Sequence, residues 1–193
     1  MLQKQLDSLG CTDSLCLDIG CGTGLAEELF HPLSRPQLVG VDVAATMLRI
    51  ASKRCADAFY ACADGLKLPF ANGTFDLTFS FALMHHLSSD EKRREVLKEM
   101  ARVTKENGRI CTFEHNPLNP FVNYLVKKCG VDEGVELIPP DKMIDIHNSV
   151  GLHVIDVEYL VFSPSRLGFL ERAQPFVRHI PVGGQYEIVA GKK

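Results

Sequence analysis

Leu17-Asp18-Ile19-Gly20-Cys21-Gly22-Thr23-Gly24 decides how this chain is read. The stretch joins a short apolar run, residues 14–19, to a helical pattern over residues 23–30. Glycines at alternate positions let the backbone turn sharply and approach a ligand closely. A dinucleotide site needs G-x-G-x-x-G, with the pyrophosphate on the helix N-terminus. Here the spacing is G-x-G-x-G, and an acid, Asp18, stands two residues before the first glycine. A carboxylate at that point repels a pyrophosphate. It suits a ligand that carries an ammonium group.

Outward from this loop, short apolar runs alternate with helical patterns. Strands are predicted at 14–19, 37–43, 58–62, 74–81 and 108–114, and helices at 23–30, 44–54 and 90–103. The 90–103 segment carries Val96, Leu97, Met100 and Val103 as one apolar stripe among charges, with Ser88 or Ser89 placed to cap it. Such alternation specifies a parallel sheet covered on both faces. After residue 114 the pattern changes. Asn119-Pro120 is a helix start and Gly130 a stop; 141–150 is a further helix. Residues 153–162 and 185–190 are predicted as a final antiparallel pair, with a Leu-, Phe-, Arg- and Pro-rich segment (166–181) between them.

With 193 residues, 46% hydrophobic, the chain is expected to form one domain over 1–193. Its formal charge of −3 lacks the basic footprint that nucleic-acid phosphates require. No run approaches the roughly 20 apolar residues of a membrane span, so a cytoplasmic location is expected. The 7 cysteines form no C-x-x-C pair, so no metal site is predicted. Cys16, Cys62 and Cys111 lie in apolar runs, where a free thiol behaves as a small hydrophobe. A thiol-rich metalloid site is disfavoured because Cys16, Cys21 and Cys111 are committed to strands and loop.

The glycine loop and the segments after it resemble the class I S-adenosylmethionine-dependent methyltransferases over nearly the whole chain. In that family an E/D-x-G-x-G-x-G loop wraps the methionine part of the cofactor; Asp18, Gly20, Cys21, Gly22 and Gly24 match it. An acid ending the second strand binds the ribose hydroxyls, and Asp42 matches. An acid after the third strand faces the adenine amino group, which matches Asp64 in Ala63-Asp64-Gly65. Val43 and Met47 are candidates to pack on the adenine, with Phe81 a further cofactor contact. Leu68-Pro69-Phe70, Phe75-Asp76 and the Ser80 to Leu87 stretch fit the family's next elements. The resemblance implies a three-layer α/β, Rossmann-like sandwich. Its seven-stranded sheet is mostly parallel, with an antiparallel last strand and the order 3-2-1-4-5-7-6. It also implies S-adenosylmethionine as cofactor and S-adenosylhomocysteine as product.

Each residue has a plainer reading. Asp18 is a turn cap, Asp42 a helix cap, Asp64 the start of a turn with Gly65, Met47 core; Asp76 is expected to be structural. His85 and His86 end the fourth strand, Glu114 and His115 the fifth, and all four are candidates for the acceptor pocket. Histidine is a general base near neutral pH, yet the pair equally shapes the pocket, and Glu114 and His115 equally cap the 117–119 loop. The expected activity is methyl transfer to an O, N or C atom of a small-molecule, glycan or lipid acceptor, with no nucleic acid. The alternatives are a non-catalytic binding subunit and a nucleotide-sugar or NAD enzyme, the last disfavoured by Asp18 and the glycine spacing. A short leader (1–13) with one helix at 2–9, a substrate-side insertion (115–150) and a homodimer complete the expectation.

Overall fold

Seven strands form one sheet in the order β3-β2-β1-β4-β5-β7-β6. The computed structural model describes residue 4 and residues 14–28, 37–128, 135–160 and 178–193. The strands are β1 (Leu15–Ile19), β2 (Gln37–Asp42), β3 (Phe59–Cys62), β4 (Phe75–Phe81), β5 (Thr104–His115), β6 (Leu152–Leu160) and β7 (Gln185–Lys192). The helices are α1 (Ala45–Arg54), α2 (Asp90–Val103), α3 (Pro120–Lys128) and α4 (Pro140–Ser149). Helical residues 25–28 precede β2. β1 to β5 run parallel; β7 lies antiparallel between β5 and β6. This is the Rossmann-like methyl-transfer architecture anticipated from the sequence, antiparallel last strand included.

The two faces of the sheet hold separate cores. Leu17, Ile19, Val41, Ile110 and Ile188 pack with the stripe of α2 (Val96, Leu97, Met100, Val103) and with Met143 and Ile146 of α4. Each such side chain contributes about 1.5–3 kcal/mol by leaving water. Cys16, Leu38, Leu77, Phe79, Cys111 and Phe113 form the opposite core, against Ala26. The Ser89 hydroxyl caps α2 by accepting the Lys92 N–H at 3.3 Å, with Asp90 and Glu91 at the positive end of the helix.

Several boundaries differ from expectation. β5 begins at Thr104 rather than 108, because Thr104 already pairs with Phe75 before a register shift admits residues 105–108. Turn-like composition (Lys-Glu-Asn-Gly) hid that pairing. Met47 is 41% exposed while Leu48 and Ala51 of the same helix are buried, so Met47 is not core. Cys62 is exposed, its Sγ 3.5 Å from the Val43 carbonyl, because β3 is an edge strand. Asp76 is structural: one oxygen accepts the Leu15 N–H at 3.0 Å, the other meets Lys105 at 2.8 Å. The 2–9 helix apart from residue 4, the Gly130 stop and most of 166–181 fall outside the described residues. No helix among the described residues is long and apolar enough to cross a membrane.

Strand order reverses between β1 and β4: connections from β1 run one way across the sheet, those from β4 the other. Loops part at that point, and the cleft at the strands' C-terminal ends is where ligands bind such sheets.

Candidate functional site

The glycine loop leaves β1 at that cleft. Gly20, Gly22 and Gly24 have φ of +73°, +53° and +74°, a region that L side chains rarely enter. The amides of Gly20 and Cys21 donate to the Val41 carbonyl at 2.8 and 3.0 Å, tying the loop to the end of β2. A Cβ at Gly24 would stand 2.9 Å from Ala51 Cα, so this glycine lets α1 approach. A Cβ at Gly22 would meet nothing within 4 Å among the described residues, so that side of the loop is open with respect to them.

Three acids surround the loop. Asp18 is 2% exposed, and its Oδ1 has no hydrogen-bond partner among the described residues. Burial, then the charges of Glu27 and Asp42, hold its carboxyl well above the usual range. Asp42 accepts the Gly22 N–H at 2.9 Å and the Ala44 N–H at 2.8 Å, one on each oxygen. A carboxylate offers about four lone-pair sites, so each oxygen keeps acceptor capacity. Asp64 is exposed and accepts the Leu66 N–H at 2.9 Å; its turn reading therefore holds as geometry and leaves the second oxygen outside that bond. The Ala63 amide donates to the Asp42 carbonyl at 3.1 Å, which keeps the two acid-bearing strand ends adjacent. Val43 and Met47 lie exposed beyond β2. Phe81 is half-buried and stacks on Phe113, with ring centroids 4.1 Å apart.

The second half of the site lies just after β4. Ala82 has φ +51°, the one positive φ outside glycine among the described residues, and turns the chain into a short helical turn, Met84–His86. Leu83 reaches back over the glycine loop: a Cβ at Gly20 would lie 2.7 Å from its Cδ1. Glu114, 1% exposed, fixes this turn from β5. Its Oε1 accepts the Met84 N–H at 2.7 Å and its Oε2 lies 2.5 Å from His85 Nδ1. His85 is buried, His86 exposed and His115 half-buried; the His85 ring lies 4.3 Å from that of His86 and 5.4 Å from that of His115. The structure thus brings all four acceptor-side candidates together. It corrects the capping reading of Glu114: Asn116 serves the loop instead, accepting the Leu118 N–H at 3.0 Å.

Arg93 is the residue that sequence reasoning missed. Buried in α2, its Nε donates to the Met84 carbonyl at 3.0 Å, and its guanidinium also binds the Leu87 carbonyl and Asp90. Its signal was available: 93 continues the 96-100-103 stripe, so an arginine there must bury its charge with partners. No group of three or more His, Cys, Asp or Glu among the described residues is placed to hold a metal ion.

The family model described as "Methyltransferase domain" matches residues 17–112, from the glycine strand through β5. The chain belongs to the class I S-adenosylmethionine-dependent methyltransferases. Among relatives of this methyltransferase chain, a "Demethylmenaquinone methyltransferase" of Corynebacterium urealyticum is 43% identical over 142 residues, covering 69% of this chain and 58% of that protein. A "Probable tRNA methyltransferase 9B" of Homo sapiens is 36% identical over 100 residues, covering 52% of this chain and 21% of that protein. The chain therefore spans well under two thirds of these relatives' lengths. Among solved structures, a SAM-dependent methyltransferase of Thermotoga maritima superposes with a TM-score of 0.72 at 17% identity, covering 99% of this chain and 87% of that one. At that identity the likeness is one of fold.

S-adenosylmethionine is the family's cofactor, and the residues present fit it. Among the described residues the buried Asp18 carboxyl lacks a partner for one oxygen and the loop is open at Gly22, and Asp42 retains two acceptor positions suited to vicinal hydroxyls.

Proposed function

We propose that this methyltransferase moves a methyl group from S-adenosylmethionine to an O, N or C atom of a small-molecule, glycan or lipid acceptor. One observation carries the reading. A buried, partly unpartnered acid beneath an open glycine loop shares one sheet edge with a histidine cluster, and Leu83 packs the two halves together. In this reading Asp18 takes the ammonium group, and Gly20, Cys21, Gly22 and Gly24 wrap the methionine part. Asp42 accepts the ribose hydroxyls; Asp64 and Gly65 face the adenine edge, with Val43 and Met47 against its ring and Phe81 on the neighbouring strand. The bound sulfonium supplies an already activated methyl electrophile. The chain's own task is then to exclude water and to align the acceptor. Glu114 and Arg93 hold the 83–87 turn, so that His86 and His115 line the acceptor side and His85 backs them. A proton leaving a hydroxyl or amine acceptor has an imidazole within this cluster to receive it.

The net charge of −3 favours a small acceptor over a nucleic acid. So does the reach of the matches: the demethylmenaquinone relative matches 142 residues, the tRNA relative 100. Titration calorimetry with S-adenosylmethionine and S-adenosylhomocysteine tests the cofactor half. Both should bind, and Asp42→Ala should weaken binding by about 1.5–3 kcal/mol. No heat with either ligand at high micromolar concentration sinks the reading. For the acceptor half, S-adenosylhomocysteine formation is measured with demethylmenaquinone, lipids, sugars and tRNA. Turnover with tRNA alone would refute the acceptor class.

A further inference from the structure

A cluster of buried polar groups lies beside the glycine loop, around Gly40 of β2. Strand register sets Asp18, Gly40 and Tyr60 side by side across β1, β2 and β3. Gly40 leaves a gap in that row. A Cβ there would stand 2.6 Å from Glu27 Oε1, 2.9 Å from Cys21 Sγ and 2.9 Å from Tyr60 Cδ1. Glu27, from helical residues 25–28, fills the gap and is fully buried. Neither of its carboxylate oxygens has a hydrogen-bond partner among the described residues, nor has Asp18 Oδ1 or the Tyr60 hydroxyl.

Two buried carboxylates in one cluster do not both stay ionised without a cation. Among the described residues the groups facing them are Asp42 from β2, Cys21 from the loop, and Tyr60 from β3 with Cys55 beyond it, none of which brings positive charge. Arg54 of α1 is engaged at the surface with Thr23 and Glu28. Burial pushes Glu27 up to about 7.

We propose that Glu27 and Asp18 form a one-proton carboxylate pair, and that the cofactor's ammonium, on binding at Asp18, expels the shared proton to solvent. The proposal rests on the assignment of Asp18 to the ammonium group. Glu27 is a positioning residue that acts through Asp18. In the free protein one of the two carboxyls holds the proton, and the pair carries a single negative charge. In the complex the ammonium replaces the proton as counter-charge: one cation enters, one proton leaves, and no bond of the cofactor changes. Cofactor affinity then falls as pH drops below about 7, by up to about tenfold per pH unit for a full proton.

Calorimetry of S-adenosylhomocysteine binding, in buffers of different ionisation heat between about pH 6 and 8, counts the released protons. Wild type should release a fraction of a proton that grows as pH is lowered. Glu27→Gln should still bind but release none, because an amide has no carboxyl proton to give up and Asp18 loses the neighbouring charge that raises it. Absence of release in wild type, or unchanged release in Glu27→Gln, overturns the proposal. A difference infrared spectrum of wild type gives the same answer should the variant not fold. Loss of a protonated-carboxyl band on ligand addition supports the pair, and an unchanged band overturns it. Binding without proton release refutes this proposal alone, whereas absence of binding refutes the cofactor assignment together with it.

Discussion

Gly22 and Gly24 are two residues apart and share left-handed backbone, yet replacing each by alanine should have different consequences. At Gly22 the φ of +53° costs an L residue about 1–2 kcal/mol. The new Cβ touches nothing among the described residues, so they add no packing cost. At Gly24 the φ of +74° brings the same backbone cost, about 1–2 kcal/mol. The Cβ there would also lie 2.9 Å from both Ala51 Cα and Cβ and 3.1 Å from the Tyr60 hydroxyl. A helix backbone cannot swing aside as a side-chain tip can, so overpacking adds about 1–3 kcal/mol. Gly24→Ala is therefore expected to cost about 2–5 kcal/mol. A chain of this size loses about 2–4 °C of Tm per kcal/mol. Thermal melts followed by circular dichroism separate the two variants, and calorimetry with S-adenosylhomocysteine gives the other half. Gly22→Ala, the milder in stability, should lose at least about tenfold in affinity, or 1.4 kcal/mol, because its methyl occupies the open ligand side. If Gly24→Ala melts no lower than Gly22→Ala, the packing account of α1 is wrong. If Gly22→Ala binds as wild type does, the open side of the loop is not the cofactor's side.

Ala82→Gly should raise stability by up to about 1–2 kcal/mol, since the φ of +51° is costly only with a Cβ; a lower Tm would show that the alanine methyl is packed. Arg93→Met should destabilise by about 1–3 kcal/mol, because it takes a buried donor from the Met84 and Leu87 carbonyls, while Asp90 keeps Lys142 at 3.2 Å; denaturant unfolding showing no loss would mean that the clamp is idle. Burial lowers His147 to about 4 from 6.5, while its ring bonds the Met143 carbonyl and Thr112. The unfolded chain thus binds a proton that the folded chain does not. Stability is whole above pH 6.5 and is lost as pH falls toward 4, by about 3 kcal/mol in total. His147→Gln should flatten that slope in pH-dependent melts, and an unchanged slope would assign it to other groups.

Local signals carried the reading of the cofactor half. Short apolar runs marked β1 to β4 and a 3.6-residue period marked α2, and the spacing of Asp18, Asp42 and Asp64 placed each acid at a strand end. Where reading failed, a long-range pairing had overridden composition. Thr104 joins β5 because Phe75 is its partner, and Met47 stays exposed because α1 turns Leu48 and Ala51 inward instead. On the acceptor side the sequence supplied the cluster but not its roles. His85 and His86 are adjacent and chemically identical, yet one is buried against Glu114 and the other is exposed.

The sequence by itself determined the strand–helix alternation, the glycine loop and the order of the acids along the chain. These depend on backbone conformation and on residues a few positions apart. Tertiary structure alone decided that Glu114 meets His85 across 29 positions, that Arg93 holds the turn carrying both histidines, and that Glu27 enters the gap at Gly40 beside Asp18. Such contacts depend on strand register and on the turn after Ala82. A one-residue slip of β5 would send Glu114 to the opposite face of the sheet, away from His85.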